Sequence, residues 1–338
     1  MSIFSNGHVR RTIPLLLFVL VLVPGPLAFG QDDPGLFPVF QNGSWGYIDE
    51  QGVMVVEPQF DDASFFSDGW ARVQNGDTVK FIDESGAVVL APDVAYVGHF
   101  SEGRAPFRPE KDADLGYMNK KGTVVIDPQF EEAYPFSEGR AAVYTGKQSK
   151  AEAKYGYIDR DGAYVIEPQF WGARAFSQGL APALADGFVF GKWGYINEEG
   201  EWAIEPQFEE ALPFSSNRAA VSQEQGMDDQ WGYIDTTGRT VIDLSYDLVR
   251  SFSGNRAPVE TFDGWTYIDS TGATAVSGTW EFAEPFRGPL GRVAETAGGM
   301  SHGHQGGTLQ FSGGVDDGDW IYVDRDGRQV WRPSSDGE

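Results

Sequence analysis

Apolar and polar positions recur along this chain as a block of fixed length. Trp45-Gly46-Tyr47-Ile48-Asp49 runs through Gly52 to Glu57-Pro58-Gln59-Phe60. Tyr155-Gly156-Tyr157-Ile158-Asp159 leads through Gly162 to Glu167-Pro168-Gln169-Phe170, and Trp193-Gly194-Tyr195-Ile196-Asn197 leads through Gly200 to Glu205-Pro206-Gln207-Phe208. Leu115-Gly116-Tyr117-Met118-Asn119 leads to Asp127-Pro128-Gln129-Phe130, and Trp231-Gly232-Tyr233-Ile234-Asp235 opens a further copy. Weaker copies begin at Val79 and Trp265, and a half copy runs from Trp320 to Trp331. The chain enters the pattern at Gly35-Leu36-Phe37-Pro38-Val39. Self-similarity at a fixed period is the mark of a repeat architecture.

The aromatic and β-branched opening of each block predicts a strand. Asp/Asn-x-x-Gly follows at 49–52, 83–86, 119–122, 159–162, 197–200, 235–238, 269–272 and 324–327, a turn in which Asp bonds forward and Gly takes positive φ. A returning apolar strand, Val53 to Val56 in the first copy, ends by expectation at Pro58, which offers no N–H. A third strand of the Ala141-Ala142-Val143 type completes a three-stranded meander, apolar on both faces and therefore covered by its neighbours. From the Trp position to the end of that third strand the block never changes length. All variation falls in the connection before each Trp-Gly strand: 40–44, 74–78, 108–114, 144–154, 184–192, 222–230, 260–264 and 294–319. Variable connections lie at a surface.

Eight such units give an all-β tandem array. Two arrangements fit it: a β-propeller, preferred because eight falls within the usual four to eight blades, or an open solenoid or superhelix. Both termini coincide with unit boundaries, so no exchanged strand latches a ring. The blocks quoted above resemble the WG-repeat family (also called KWG-type), over essentially residues 35–333. That resemblance implies a bacterial, often exported protein with a non-catalytic binding or scaffold role, and no particular ligand. Val79-Lys80, Trp265-Thr266 and Trp320-Ile321 depart from the Trp-Gly pair, and Leu244 and Gly278 stand in place of the Pro.

The amino-terminal segment follows a different pattern. Arg10-Arg11 precede an apolar run from Ile13 to Val23, broken by Pro24-Gly25-Pro26, and Ala28-Phe29-Gly30 offers small residues for a cut before Gln31. This is the order of a secretory signal peptide over residues 1–30. The run is shorter than the roughly 20 residues of a membrane span. The expected mature chain, 31–338, is exported to the periplasm or the outside without membrane insertion.

The 338 residues carry 25 Lys and Arg against 50 Asp and Glu, a formal charge of −25, or about −27 once Arg10 and Arg11 are removed. Like charge sets the chain against nucleic acid and anionic lipid. The absence of cysteine excludes disulfides, thiol nucleophiles and Cys-held zinc. Aromatics at 14% exclude a disordered chain.

Candidate chemistry is sparse. Asp49, Asp83, Asp159, Asp235, Asp269 and Asp324 recur at equivalent turns and read as turn residues, since catalytic residues are singular. Trp45, Trp193 and Trp231 read as core aromatics. Arg104, Arg140, Arg218 and Arg256 are expected to pair with carboxylates. The singular segment, 294–319, contains His302 and His304 and then Asp316-Asp317-Gly318-Asp319; two such His could bind a metal, but the Gly-rich setting favours a plain flexible loop. No cofactor, metal or catalytic residue is assigned. The expected function is an exported scaffold that binds a protein or cell-envelope partner through the variable rim, chiefly 144–154, 184–192, 222–230 and 294–319. A carbohydrate or envelope-polymer module using Trp70, Trp171 or Trp280 is the alternative.

Overall fold

A computed structural model of the chain describes residues 35–146, 154–187, 191–225, 228–295 and 320–333. His302, His304 and Asp316 to Asp319 lie outside them, as do residues 1–34. The described chain folds into eight small antiparallel sheets and no helix, arranged as an eight-bladed β-propeller. No helix long and apolar enough to cross a membrane occurs among the described residues. The blades cover residues 37–60, 62–90, 96–130, 132–170, 172–208, 210–246, 249–280 and 282–331, and are called blades 1 to 8.

Blade 4 shows the plan. Its strands are Glu132–Ala133, Ala141–Thr145, Lys154–Ile158 and Tyr164–Phe170, paired in that order. The expected three strands per unit are thus increased to four in six blades by a first strand that is only two residues long in blades 3, 4, 5, 6 and 8. So short a strand carries no alternation. In blade 7 it shrinks to a single bridge, Val249 to Val259. The first strand of blade 2, Asp62–Ser67, is six residues long.

Two further expectations are corrected. The outer strand does not stop at its proline. In blade 4 Tyr155 pairs with Phe170 and Tyr157 with Ile166, so two steps on one strand face four on the other. Pro168 sits in that bulge, where no N–H is called for. The same bulge explains the Gly of Trp-Gly: a Cβ on Gly156 would lie 2.7 Å from the Ile166 carbonyl oxygen and 2.8 Å from the Pro168 nitrogen. Nor is every strand apolar on two covered faces. Val55, Val88, Val124 and Val165 on the outer strands are exposed, because that strand is the sheet's edge and one row of its side chains meets solvent.

Neighbouring blades are joined by one repeated contact set. The tyrosine of each Trp-Gly-Tyr strand is buried and donates its hydroxyl to the carbonyl that directly follows the first strand or bridge of the next blade. Tyr117 bonds Tyr134, Tyr157 bonds Arg174, Tyr195 bonds Leu212 and Tyr233 bonds Arg250, each at 2.7–2.8 Å. Burial pushes these phenols well above the ordinary tyrosine range, with the Arg174 charge opposing it at Tyr195. The turn glycine packs the other way. Gly162 adopts φ +87° and leaves a hypothetical Cβ 3.1 Å from Ile126 of the preceding blade.

The ring closes by the same rules. Tyr322 of blade 8 donates to the Pro38 carbonyl of blade 1 at 2.8 Å, and its ring meets Phe37 edge-on at 5.5 Å. Gly52 of blade 1 packs against Val330 of blade 8. One apolar cluster joins Phe37, Val39 and Ile48 to Leu290, Tyr322 and Trp331. Closure is therefore made by side chains, with no exchanged strand among the described residues.

Candidate functional site

In an antiparallel four-stranded meander the connections alternate between two rims. One rim carries the turns between first and second strands and the Asp/Asn-x-x-Gly turns between third and fourth. The other carries the variable connections and the crossings to the next blade.

The turn rim uses its polar groups on the fold itself. Asp159 Oδ1 accepts from the backbone N–H of Asp161 at 2.9 Å and of Ala163 at 3.0 Å, and Asn119, Asn197, Asp235 and Asp324 do the same in their own turns. Thr237 adds a hydroxyl donor at 2.6 Å and helps hold the Asp235 carboxyl down at about 2. These side chains are occupied as turn residues. The turns between first and second strands then bond one another around the ring. Asp68 accepts from Gly103 N–H at 2.8 Å, Glu102 from Gly139 at 3.0 Å, Glu138 from Gln178 at 2.6 Å, and Gln178 from Asn217 at 3.0 Å. Arg160 reaches Glu102 at 2.6 Å, and Lys120 pairs with Asp68.

The recurring arginines divide in role. Arg140 pairs with Glu198 at 2.9 Å and lies 5.3 Å above the Phe176 ring, as expected. Arg218 and Arg256 instead donate to the carbonyls of Asn217 and Asn255.

The variable rim differs in kind. Its shortest connections are two-residue hairpin turns, such as Asn42-Gly43 at φ 55° and 79°, the pairing that favours a tight turn matched to strand twist. The segment 222–230 is not a free loop: strand pairing extends to Gln225 opposite Asp228. At the tip of the blade 7 hairpin Phe262 is 101% exposed. A lone aromatic where other copies place Asn-Gly or Gly-Asp was the sequence signal for this residue, and sequence reasoning passed over it.

Cation-on-aromatic stacks cross the inner part of this rim. Arg174 lies 4.4 Å above Trp193 while bonding Glu210 at 2.6 Å, and Lys154 lies 5.3 Å above Trp171. Arg292 covers Trp320 at 4.6 Å, and Arg250 covers Phe282 at 4.8 Å. In blade 4 the Tyr155 hydroxyl donates to Glu132 at 2.6 Å, with Tyr134 3.4 Å from the same carboxylate oxygen. Burial and that carboxylate push Tyr134 up to about 12. The rim thus offers flat aromatic surfaces edged by both signs of charge, suited to a large polar partner.

Trp45 is in the core, and Trp193 and Trp231 are half-buried against it. Of the three tryptophans proposed as ligand platforms, Trp280 is buried and Trp70 is locked edge-on against Phe100 at 5.2 Å beneath Lys120. Both are packed into the fold: Trp280 meets Tyr267 edge-on at 5.6 Å. Trp171 is half-buried under Lys154. Among the described residues no group of three or more His, Asp or Glu side chains is placed to hold a metal ion.

Six consecutive segments match the WG containing repeat: 45–78, 81–108, 116–147, 155–187, 193–225 and 231–264. The chain belongs to the WG-repeat family. The match spans more than half of the sequence and leaves out blade 8 and part of blade 7, where Thr266, Gly278 and the half copy depart from the pattern. No curated protein matches this WG-repeat chain. Among solved structures it is similar to a crystal structure of the eukaryotic initiation factor, at 10% identity, TM-score 0.55, covering 89% of this chain and 85% of that one. It is also similar to Hsv2 of Kluyveromyces lactis at 11% identity and TM-score 0.42, covering 69% and 89%. At such identities the likeness is one of fold alone.

Proposed function

We propose that this WG-repeat propeller is an exported, non-catalytic scaffold that binds a protein or other macromolecular partner through its variable rim. One observation carries the reading. Eight blades of constant frame differ in length at one kind of connection only, and all copies of that connection emerge on one rim. The opposite rim spends its carboxylates on its own turns and blade junctions. Exposed Phe262 and the cation–aromatic stacks give the variable rim the aromatic and Arg character of interface cores. Export rests on the residue 1–30 pattern, and the charge of −25 favours partners that are neither nucleic acid nor anionic lipid.

The test is to replace 144–154, 184–192, 222–230 and 294–319 with the Asn-Gly turn of blade 1. Capture of envelope or secreted partners by the mature chain should be lost while the melting temperature holds. Retained capture would remove the rim from the proposal. A second reading, a glycan-binding module, is favoured by the half-buried Trp171 and Trp193 on the variable rim, with Glu210 bonded to the Arg174 that stacks on Trp193. A glycan array without a hit counts against it.

A further inference from the structure

The outer strand of each blade is an open edge. An edge offers unpaired N–H and C=O groups to any extended chain, and a proline is one device that breaks the row. Blades 1, 3, 4 and 5 carry Pro58, Pro128, Pro168 and Pro206 within that strand. Blade 6 has Leu244 there, in the strand Thr240–Tyr246. Its register is nonetheless that of the proline blades: Trp231 pairs with Tyr246 and Tyr233 with Ile242, two steps against four. The ladder is therefore complete without an N–H at this place, and Leu244 brings one that the sheet does not require.

The peptide before Leu244 is also turned. In the proline blades its nitrogen lies 2.7–2.8 Å from the place a Cβ would take on the facing Gly. In blade 6 the Asp243 carbonyl oxygen replaces that nitrogen among the nearest atoms, 2.8 Å from the same place on Gly232. The peptide is trans, so the Leu244 N–H points away from that oxygen and from Gly232. A cleft of about 270 Å³ runs along this strand, lined by Val241, Asp243, Ser245 and Tyr246 and by Thr271 of blade 7. In blade 7 the corresponding Gly278 lies against the Trp280 indole, 2.9 Å from the place of its Cβ. At blade 6 the missing proline and the cleft coincide.

The charge of this edge selects its occupant. Asp243 is exposed in the middle of the strand and forms no ion pair among the described residues. Arg239, the cation at the head of the strand, is taken by Asp235 at 3.2 Å. Antiparallel pairing with a second copy about the strand centre would set Asp243 against Asp243, between chains that each carry a charge of −25. A segment with basic side chains meets the same carboxylate with the opposite sign. We propose that the outer strand of blade 6 takes up an extended, basic segment of a partner protein as a fifth strand, with the Leu244 N–H as an added donor and Asp243 as the selecting charge. This surface lies on the outer strand and does not depend on the variable connections binding a partner.

The test uses the mature chain and two end-blocked peptides as long as the strand, one alternating Lys with Val and the other Glu with Val, at fixed ionic strength. The Lys peptide should bind about tenfold or more tightly than the Glu peptide and slow exchange of the Leu244 amide. Leu244→Pro should lose that preference with the fold kept, since four other blades hold proline here. Leu244→Ala shortens the side chain but keeps the N–H, and should bind like the parent. Asp243→Lys should turn the preference toward the Glu peptide, and this arm decides the proposal where Leu244→Pro fails to fold. Equal binding of the two peptides, no binding of either, or undiminished binding by Leu244→Pro overturns it. So does a parent dimer that Leu244→Pro makes monomeric, which would name a second copy as the occupant.

Discussion

At His99 folding and protonation are linked within the range between pH 4 and 6.5. Its ordinary value is 6.5, and in the folded chain it falls to about 4 because burial, Arg72 and Arg287 all oppose the charged form. Between those values the unfolded chain binds a proton that the folded chain does not, so stability rises with pH across the window and is lost as pH falls from 6.5 toward 4. A shift of this size is worth up to about 3 kcal/mol. The turn aspartates also lose stabilising power in acid, but Asp235 starts from 3.8 and falls to about 2, so its window lies lower. His99→Gln should therefore flatten the dependence of urea-unfolding stability on pH between 6.5 and 4 and leave the lower region unchanged. An equal slope in parent and variant would refute the linkage. None of this was legible in the sequence. Four histidines, one of them in an ordinary strand-end position, gave no sign that blades 2 and 8 would bring arginines to it.

A blade is the element, and its rules are visible where one blade breaks them. Gly156 lies against the Ile166 carbonyl and Pro168 because the outer strand crosses it in a bulge. Blade 7 has Thr266 at that place, with its hydroxyl 3.3 Å from the Val276 carbonyl, and Gly278 where most blades have Pro and blade 6 has Leu244. The two departures compensate each other: a smaller residue on the outer strand makes room for a larger one on the inner. Gly156→Thr in blade 4 should cost about 1–3 kcal/mol, the range for overpacking. Adding Pro168→Gly should recover part of it, a coupling read from a double-mutant cycle. Additive losses would show the pair to be independent. At this scale the sequence was highly informative, since fixed spacing exposed the turns, the strands and the variable connection. It failed at the two-residue first strand, where Glu132–Ala133 is too short for any alternation, and at Pro168, where a strand continues through a residue that ordinarily ends one.

Eight blades make a ring only if the last meets the first, and here that junction must succeed without a peptide link among the described residues. At an inner junction the chain itself passes from one blade to the next. Between blades 8 and 1 the work falls to Tyr322 and Pro38, to Phe37, and to the packing of Gly52 on Val330. The tyrosine that serves as one of several ties elsewhere becomes the main polar one at this seam. The repeat period predicted that neighbouring units cover one another and made a ring preferable to an open array, but it named no side chain as the tie between them. Tyr157→Phe and Tyr322→Phe remove the same hydroxyl and the same roughly 1 kcal/mol of hydrogen bonding. Their consequences should differ, because the blade 4–5 junction remains tethered and the 8–1 junction does not. Tyr322→Phe is expected to speed amide exchange in Phe37–Gln41 and Trp320–Val323 by opening the ring, whereas Tyr157→Phe should leave those strands as protected as in the parent. Blade 2 gives an internal control: Phe81 stands where the other blades have tyrosine, and the ring tolerates the missing hydroxyl at a tethered junction. Equal protection of the seam strands in both variants would mean that apolar packing around Trp331 and Leu290 closes the propeller alone.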